Sequence, residues 1–196
     1  MRVGRVIARP FAGEIGAFER TGNRKDYAMT PPQPVLSNWL QDAGHPVIGI
    51  GKISDIFSGQ GLDHSLTGSD MVLMQHLKDQ FAQAADGSFV FANFVEFDSL
   101  YGHRRDVAGY ARALEWFDRA LASLLAAMKP DDLLILTADH GNDPTWPGTD
   151  HTRERVPVLC AGMGPKPLGL LGFEDVAATV ATYLNVTPKG QGKSFL

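Results

Sequence analysis

The stretch that decides the fold is Phe89-Val-Phe-Ala-Asn-Phe-Val-Glu-Phe-Asp98. Its nearly continuous apolar run, broken by Asn93 and Glu96, is typical of a strand buried on both faces of a parallel sheet. The run ends in a carboxylate, and open α/β sheets place their sites beyond the carboxyl ends of their strands. The stretch therefore predicts a strand over 89–97 and a functional site that begins at Asp98.

The segments around this strand alternate between strand and helix patterns. We predict further strands over 3–9, 47–51, 133–138 and 156–161, and helices over 35–43, 66–85, 107–128 and 174–184. Residues 10–34, rich in glycine, proline and charge, are predicted to be a connecting excursion. The alternation predicts an α/β fold, a layered and mostly parallel sheet with helices on both faces.

The composition is that of an ordinary globular domain. Of 196 residues, 44% are hydrophobic and 20% charged, and the formal net charge is -4. The chain lacks a basic run, an apolar stretch of membrane-spanning length and an apolar signal-peptide core. We therefore expect a cytoplasmic protein that binds neither nucleic acid nor membrane.

Three short motifs carry metal-ligand residue types where strands are predicted to end. The candidate ligands are two carboxylates and three imidazoles: Asp98, His103, Asp139, His140 and His151. With open coordination positions left over, such a set suits a pair of divalent ions, such as Mn²⁺ or Zn²⁺, that handle phosphate.

The same motifs carry a family resemblance. Residues 137–142, Thr-Ala-Asp-His-Gly-Asn, resemble the signature of the alkaline-phosphatase superfamily of metalloenzymes. Residues 97–106 and 148–154 are similar to phosphopentomutases, which interconvert the 1- and 5-phosphates of ribose and deoxyribose. Residues 4–11, 23–28 and 51–57 continue the likeness, so it covers nearly the whole chain.

The resemblance implies an alkaline-phosphatase-like core with two divalent metals, expected to be Mn²⁺. One metal would be held by Asp98, His103 and His151, and the other by Asp139 and His140. Arg5, Lys52 and Arg9 are the candidates for contact with the pentose phosphate substrate, because arginine suits bidentate phosphate contact and lysine acts as a point charge.

The resemblance covers only the C-terminal half of the family's chain. Residues 1–29 would be the tail of a cap domain and its return to the core, and 30–196 the C-terminal part of the metal-binding core. The family's threonine nucleophile and one further metal-binding aspartate precede this part. We therefore assign no catalytic nucleophile, expect the isolated chain to be inactive, and regard a separate N-terminal half as a candidate partner.

Other interpretations stay open at this point. Residues 137–142 do not separate a phosphopentomutase from a cofactor-independent phosphoglycerate mutase or a phosphatase, although 97–106 and 148–154 favour the first. A third interpretation is a metal-binding fragment or subunit without turnover. Three arginines follow candidate ligands closely and could orient them or bind phosphate: Arg104, Arg105 and Arg153. For the first two, an ion pair with Asp106 is the alternative.

Overall fold

The computed structural model describes residues 4–21, 23 and 25–196 of the chain. The strands are β1 (Arg5–Ala8), β2 (Phe11–Ala12), β3 (Glu19–Arg20), β4 (Lys25–Ala28), β5 (Val47–Ile50), β6 (His64–Leu66), β7 (Phe89–Ala92), β8 (Leu134–Leu136) and β9 (Leu159–Ala161). The helices are α1 (Leu36–Asp42), α2 (Ile53–Phe57), α3 (Asp70–Gln83), α4 (Val107–Ala127) and α5 (Phe173–Tyr183). A π-helical turn spans Phe97–Gly102.

The centre of the fold is a parallel three-stranded sheet in the order β6-β5-β7. All four residues of the central strand β5 are buried. On one face of this strand, Ile48 and Ile50 pack against Leu73 of α3. On the other face, the side chains of Leu62 and Ile53 approach Gly49. The expected α/β architecture, with a parallel sheet between layers, is confirmed.

A second apolar cluster joins α3 and α4 to the strands that carry the site. Met74, Leu121 and Leu124 form its buried centre, and Phe94 and Leu136 pack against it. Strands β8 and β9 pair with each other and run antiparallel. The helix layer therefore supports β8 and the segment just after β7, although β7 and β8 belong to separate sheets.

The observed elements differ from the predicted ones mainly at their ends. Strand β7 ends at Ala92 and not at residue 97, because the apolar residues that follow enter an irregular segment and then the π-helical turn. Helix α3 begins at Asp70, after the unpredicted strand β6. Three residues are too few for β6 to show a strand pattern of its own.

The predicted connecting excursion over 10–34 contains structure as well. Strands β2 and β3 form a short antiparallel pair, and β4 pairs with β1 in a second one. Strand β1 corresponds to the strand predicted over 3–9, whose first residue, Val3, lies outside the described residues. None of the helices in the described part of the chain has the length and apolar character needed to span a bilayer.

Candidate metal centre

The π-helical turn after β7 brings Asp98 and His103 together. The amide of His103 donates to the Asp98 carbonyl at 2.9 Å, and the amide of Asp106 donates to the Tyr101 carbonyl at 3.0 Å. These i to i−5 hydrogen bonds place residues five apart over one another, and Nε2 of His103 lies 3.3 Å from Oδ2 of Asp98. Such turns are frequent at functional sites.

A buried carboxylate anchors the start of this turn. Asp70, the first residue of α3, is 4% exposed, and its two oxygens accept the amides of Val95 and Glu96 at 3.0 and 3.1 Å. Burial raises the pKa of the Asp70 carboxyl to about 6, against the lowering effect of the two amide hydrogen bonds. Asp70 thus fixes the backbone just before Asp98, a role that sequence reasoning missed.

Two imidazoles reach Asp98 from the loop after β8. The Thr152 amide donates to the Gly141 carbonyl at 3.1 Å, which ties the two arms of this loop together. As a result, the rings of His140 and His151 stack with centroids 3.8 Å apart. Nε2 of His151 lies 3.2 Å from Oδ1 of Asp98.

The five candidate ligands form one continuous cluster at the carboxyl side of β7 and β8. The ligand atoms of Asp98, His140 and His151 lie within 4.8 Å of one another. His103 joins through Asp98 and also lies with its Nε2 3.2 Å from Nε2 of His151. Asp139 joins through His140, whose Nε2 is 3.6 Å from Oδ1 of Asp139.

The hydrogen-bond partners of His103 and His140 leave the Nε2 atoms of these two imidazoles available as ligands. Nδ1 of His103 lies 2.5 Å from the Thr149 carbonyl, and Nδ1 of His140 lies 3.2 Å from the Gly141 carbonyl. A carbonyl can only accept, so Nδ1 carries the proton and Nε2 keeps its lone pair. Nitrogen and carboxylate donors that converge in this way fit a divalent metal such as Zn²⁺ or Mn²⁺.

Asn142 completes the surroundings of Asp98. It is 8% exposed, and its side-chain amide donates to Oδ1 of Asp98 at 2.6 Å. Gly102 packs so tightly on this amide that a Cβ at position 102 would clash with it. Asn142 belongs to the Asp-His-Gly-Asn motif, which was the available signal, but its contact with Asp98 was not predicted.

Comparison with known proteins places the chain in a family. The profile of the metalloenzyme superfamily matches residues 9–188. The chain belongs to this superfamily. Among solved structures, the PH0037 protein from Pyrococcus horikoshii matches this fold with a TM-score of 0.58 and 17% identity, over 89% of this chain and 59% of that one. At that identity the likeness concerns the fold alone.

Two curated relatives are more than 50% identical to this chain over nearly its whole length. Phosphopentomutase from Chromohalobacter salexigens is 52% identical over 204 residues, covering 99% of this chain and 49% of the relative. Phosphopentomutase from Chelativorans sp. is 54% identical, covering 100% of this chain and 49% of the relative. The expected resemblance to phosphopentomutases is thus confirmed, and the chain spans about half the length of these curated relatives.

Of the three candidate substrate-binding residues, all in the described part of the chain, only Lys52 lines a cavity beside the candidate metal centre. Lys52, which precedes α2, is half-buried and lines a cavity of about 350 Å³ together with Asp70, Glu96 and Ser99. This cavity borders the π-helical turn, since Ser99 belongs to both. Arg5 and Arg9 are exposed and are not among the described residues that line the cavity.

The two predicted metal positions should differ in affinity. The Asp139 side chain is 73% exposed, compared with 29% for Asp98, and within the described residues only His140 accompanies it as a proposed ligand. Calorimetric titration of the 196-residue chain with Mn²⁺ should show one tighter binding event and one weak or undetectable event. Two equally tight sites would contradict the assignment of three ligands to one metal and two to the other.

Proposed function

We propose that this chain is the C-terminal half of a phosphopentomutase, which interconverts the 1- and 5-phosphates of ribose or deoxyribose. Residues 1–29 would be the tail of a cap domain, and 30–196 the C-terminal part of the metal-binding core. The observation that carries the proposal is the single cluster of two carboxylates and three imidazoles in a chain 52–54% identical to curated phosphopentomutases.

The residues divide by what they would hold. Asp98, His103 and His151 would hold one divalent ion, and Asp139 and His140 the other, and we propose that both ions are Mn²⁺. When bound, such ions neutralise charge on a transferring phosphoryl group and orient its oxygens. Histidine and carboxylate ligands alone also suit Zn²⁺, so the preference for Mn²⁺ follows from the resemblance.

Lys52 is proposed to hold the phosphate that is not reacting. The half-buried Lys52 lines the cavity that reaches the π-helical turn of Asp98, so a sugar phosphate there would lie between this cation and the metal ligands. Arg5 and Arg9 are proposed to contact substrate from the hairpin that contains β1. A positive charge beside a phosphate keeps the sugar bound while it turns round between two phosphoryl transfers.

The site would be completed by a separate N-terminal half. In the described part of the chain, β7 pairs only with β5, and β8 pairs only with β9, so each leaves one edge open. An open edge leaves backbone N–H and C=O groups unpaired, and another strand can pair with them. The phosphopentomutase relatives are about twice as long, and the N-terminal half would bring the threonine nucleophile that the resemblance implies. A cytoplasmic location goes with the proposal, because a charged sugar phosphate does not cross an apolar bilayer unaided.

The second candidate function is a metal-binding subunit without turnover of its own. It is favoured by one observation, namely that no nucleophile can be recognised in the sequence. A different enzyme of the superfamily, a phosphoglycerate mutase or phosphatase, is less favoured because the curated relatives at 52–54% identity are phosphopentomutases.

A reconstitution experiment tests the proposed function. The purified chain with Mn²⁺ should not interconvert ribose 1-phosphate and ribose 5-phosphate, because a covalent phosphoryl shuttle needs a nucleophile. Addition of the N-terminal half of a curated phosphopentomutase relative should produce mutase activity. The matched control is the same N-terminal half mixed with the chain carrying Asp139→Ala.

The outcomes separate the candidates. Mutase activity only in the wild-type mixture supports the split phosphopentomutase. Stable association and metal binding without turnover support the non-catalytic subunit. Mutase turnover by the chain alone, at a purity that excludes host enzyme, contradicts the division of the active site between two halves.

A further inference from the structure

Arg105, two residues after His103, makes five hydrogen bonds to groups around the candidate metal centre. Its guanidinium donates to Gly148, Asp150, Gly102 and Asp143 carbonyls at 2.6, 2.6, 3.0 and 2.9 Å, and to Oδ1 of Asn142 at 2.8 Å. The predicted alternative, an ion pair with Asp106, is not what this side chain does. Asp106 instead caps α4 by accepting the Gly109 amide at 2.8 Å.

The first effect of these contacts falls on the loop before His151. Three successive carbonyls of this loop are taken by the turn after Asp98. Arg105 binds those of Gly148 and Asp150, and Nδ1 of His103 binds that of Thr149. The residue that follows is His151, so its backbone is held directly against the turn that carries the other ligands.

The second effect falls on Asp98 through Asn142. Arg105 donates to the amide oxygen of Asn142, which forces the NH₂ group of that amide to the opposite side. There it donates to Oδ1 of Asp98 at 2.6 Å. The guanidinium therefore fixes the orientation of the Asn142 amide, so that its NH₂ group faces the proposed metal-binding carboxylate of Asp98.

The backbone of Arg105 is also unusual. Its φ is 55°, in the left-handed region that non-glycine residues rarely occupy. Such a conformation persists where the surrounding contacts over-determine it. The five acceptors of the guanidinium supply those contacts.

We propose that Arg105 is a positioning residue that sets the metal affinity of this centre by fixing the His151 loop and the Asn142 amide at the same time. The inference rests on the proposed metal site and gives a specific role there to Arg105, one of the three arginines that the sequence left open as orienters of ligands or phosphate contacts. We expect that lysine cannot replace this arginine. The planar guanidinium donates from three nitrogens, whereas a single ammonium group cannot reach all of these acceptors.

The test compares three variants of the 196-residue chain. Arg105→Lys keeps the charge but loses the fork. Arg105→Gly suits the left-handed backbone, so a loss of metal binding is not due to backbone strain. Arg112→Lys, on the exposed surface of α4, is the matched control. For each, the Mn²⁺ dissociation constant is measured by calorimetry, the bound-Mn²⁺ spectrum by electron paramagnetic resonance, and folding by circular dichroism.

Loss of a residue that orients ligands typically weakens metal binding about 10- to 100-fold. We expect that loss, with an altered Mn²⁺ spectrum, for both Arg105 variants, and unchanged binding for Arg112→Lys. Guanidinium ion added at millimolar concentration should partly restore Mn²⁺ binding to Arg105→Gly, while ammonium should not. If Arg105→Gly does not fold, Arg105→Lys decides the question.

The failures can be told apart. If Arg105→Lys binds Mn²⁺ within about twofold of the parent chain, with the same spectrum, Arg105 does not position the ligands and only this inference fails. If the parent chain itself binds neither Mn²⁺ nor Zn²⁺, the proposed metal site fails, and this inference fails with it.

Discussion

Replacement of Asp98 by Asn should remove metal binding at the tighter site. The single carboxylate of Asp98 lies 3.3 Å from Nε2 of His103 and 3.2 Å from Nε2 of His151, and it accepts the Asn142 amide at 2.6 Å. An amide at position 98 supplies no negative charge, and its NH₂ group, unlike a carboxylate oxygen, has no lone pair to offer a metal. Because Asp98 is proposed to be a direct ligand, the loss of Mn²⁺ affinity should exceed the about 100-fold seen for outer residues.

The control for this variant is Asp150→Asn, which makes the same chemical change one residue from His151. Asp150 is exposed, and its carbonyl, not its side chain, takes part in the network around Arg105. Calorimetry should show Mn²⁺ binding close to that of the parent chain. If Asp150→Asn weakened binding as much as Asp98→Asn, the effect would be one of net charge near the centre, and the assignment of Asp98 as a ligand would be wrong.

The part of the site that sequence could predict is the part that depends on strand ends. The apolar run before Asp98 predicts a central strand, and an amphipathic repeat predicts α4, because burial selects residue type at a fixed period. The observed strand β7 and the helix at 107–127 agree with this logic. Parallel strands of one sheet present their carboxyl ends at one edge, so Asp98 was expected to begin a site there.

The parts that could not be predicted depend on geometry between distant residues. Asp98 lies six residues beyond Ala92, the last residue of β7, and a π-helical turn fills the end of that interval; such a turn has no apolar period of its own. Asp70 reaches Val95, 25 residues away, and Arg105 reaches Asp150, 45 residues away. Hydrogen bonds of this range follow from the packing of α3 and the loops, which local patterns do not encode.

The antiparallel pairing of β8 with β9 is a further example. Both segments are short apolar runs, and a run of this kind predicts burial but not the direction of a neighbour. Their pairing in a sheet separate from β5 and β7 also exposes an open edge on β8 among the described residues. That edge became interpretable only beside the finding that the phosphopentomutase relatives are about twice as long as this chain.

In the reconstituted enzyme, Asp139→Ala and Lys52→Ala should fail in different ways. Asp139 is proposed to hold a metal at the reacting phosphoryl group, so Asp139→Ala should abolish turnover together with the second metal-binding event. Lys52 is proposed to hold the phosphate that is not reacting, so Lys52→Ala should weaken substrate binding and let the sugar bisphosphate escape. An interaction with a remote group serves binding, whereas one needed in the transition state serves turnover.

The measurement that separates the two is steady-state kinetics with and without added ribose 1,5-bisphosphate. Added bisphosphate should partly restore the rate of Lys52→Ala, because it replaces the intermediate that was lost, and should do nothing for Asp139→Ala. Lys129→Ala is the control, since among the described residues the Lys129 amine pairs only with exposed Asp86, at 3.3 Å, on the protein surface. Equal losses in Lys52→Ala and Asp139→Ala, with neither responding to bisphosphate, would contradict the assignment of Lys52 to the substrate. Such losses would not contradict the assignment of the metal ligands, because the binding of Mn²⁺ to the chain is measured separately.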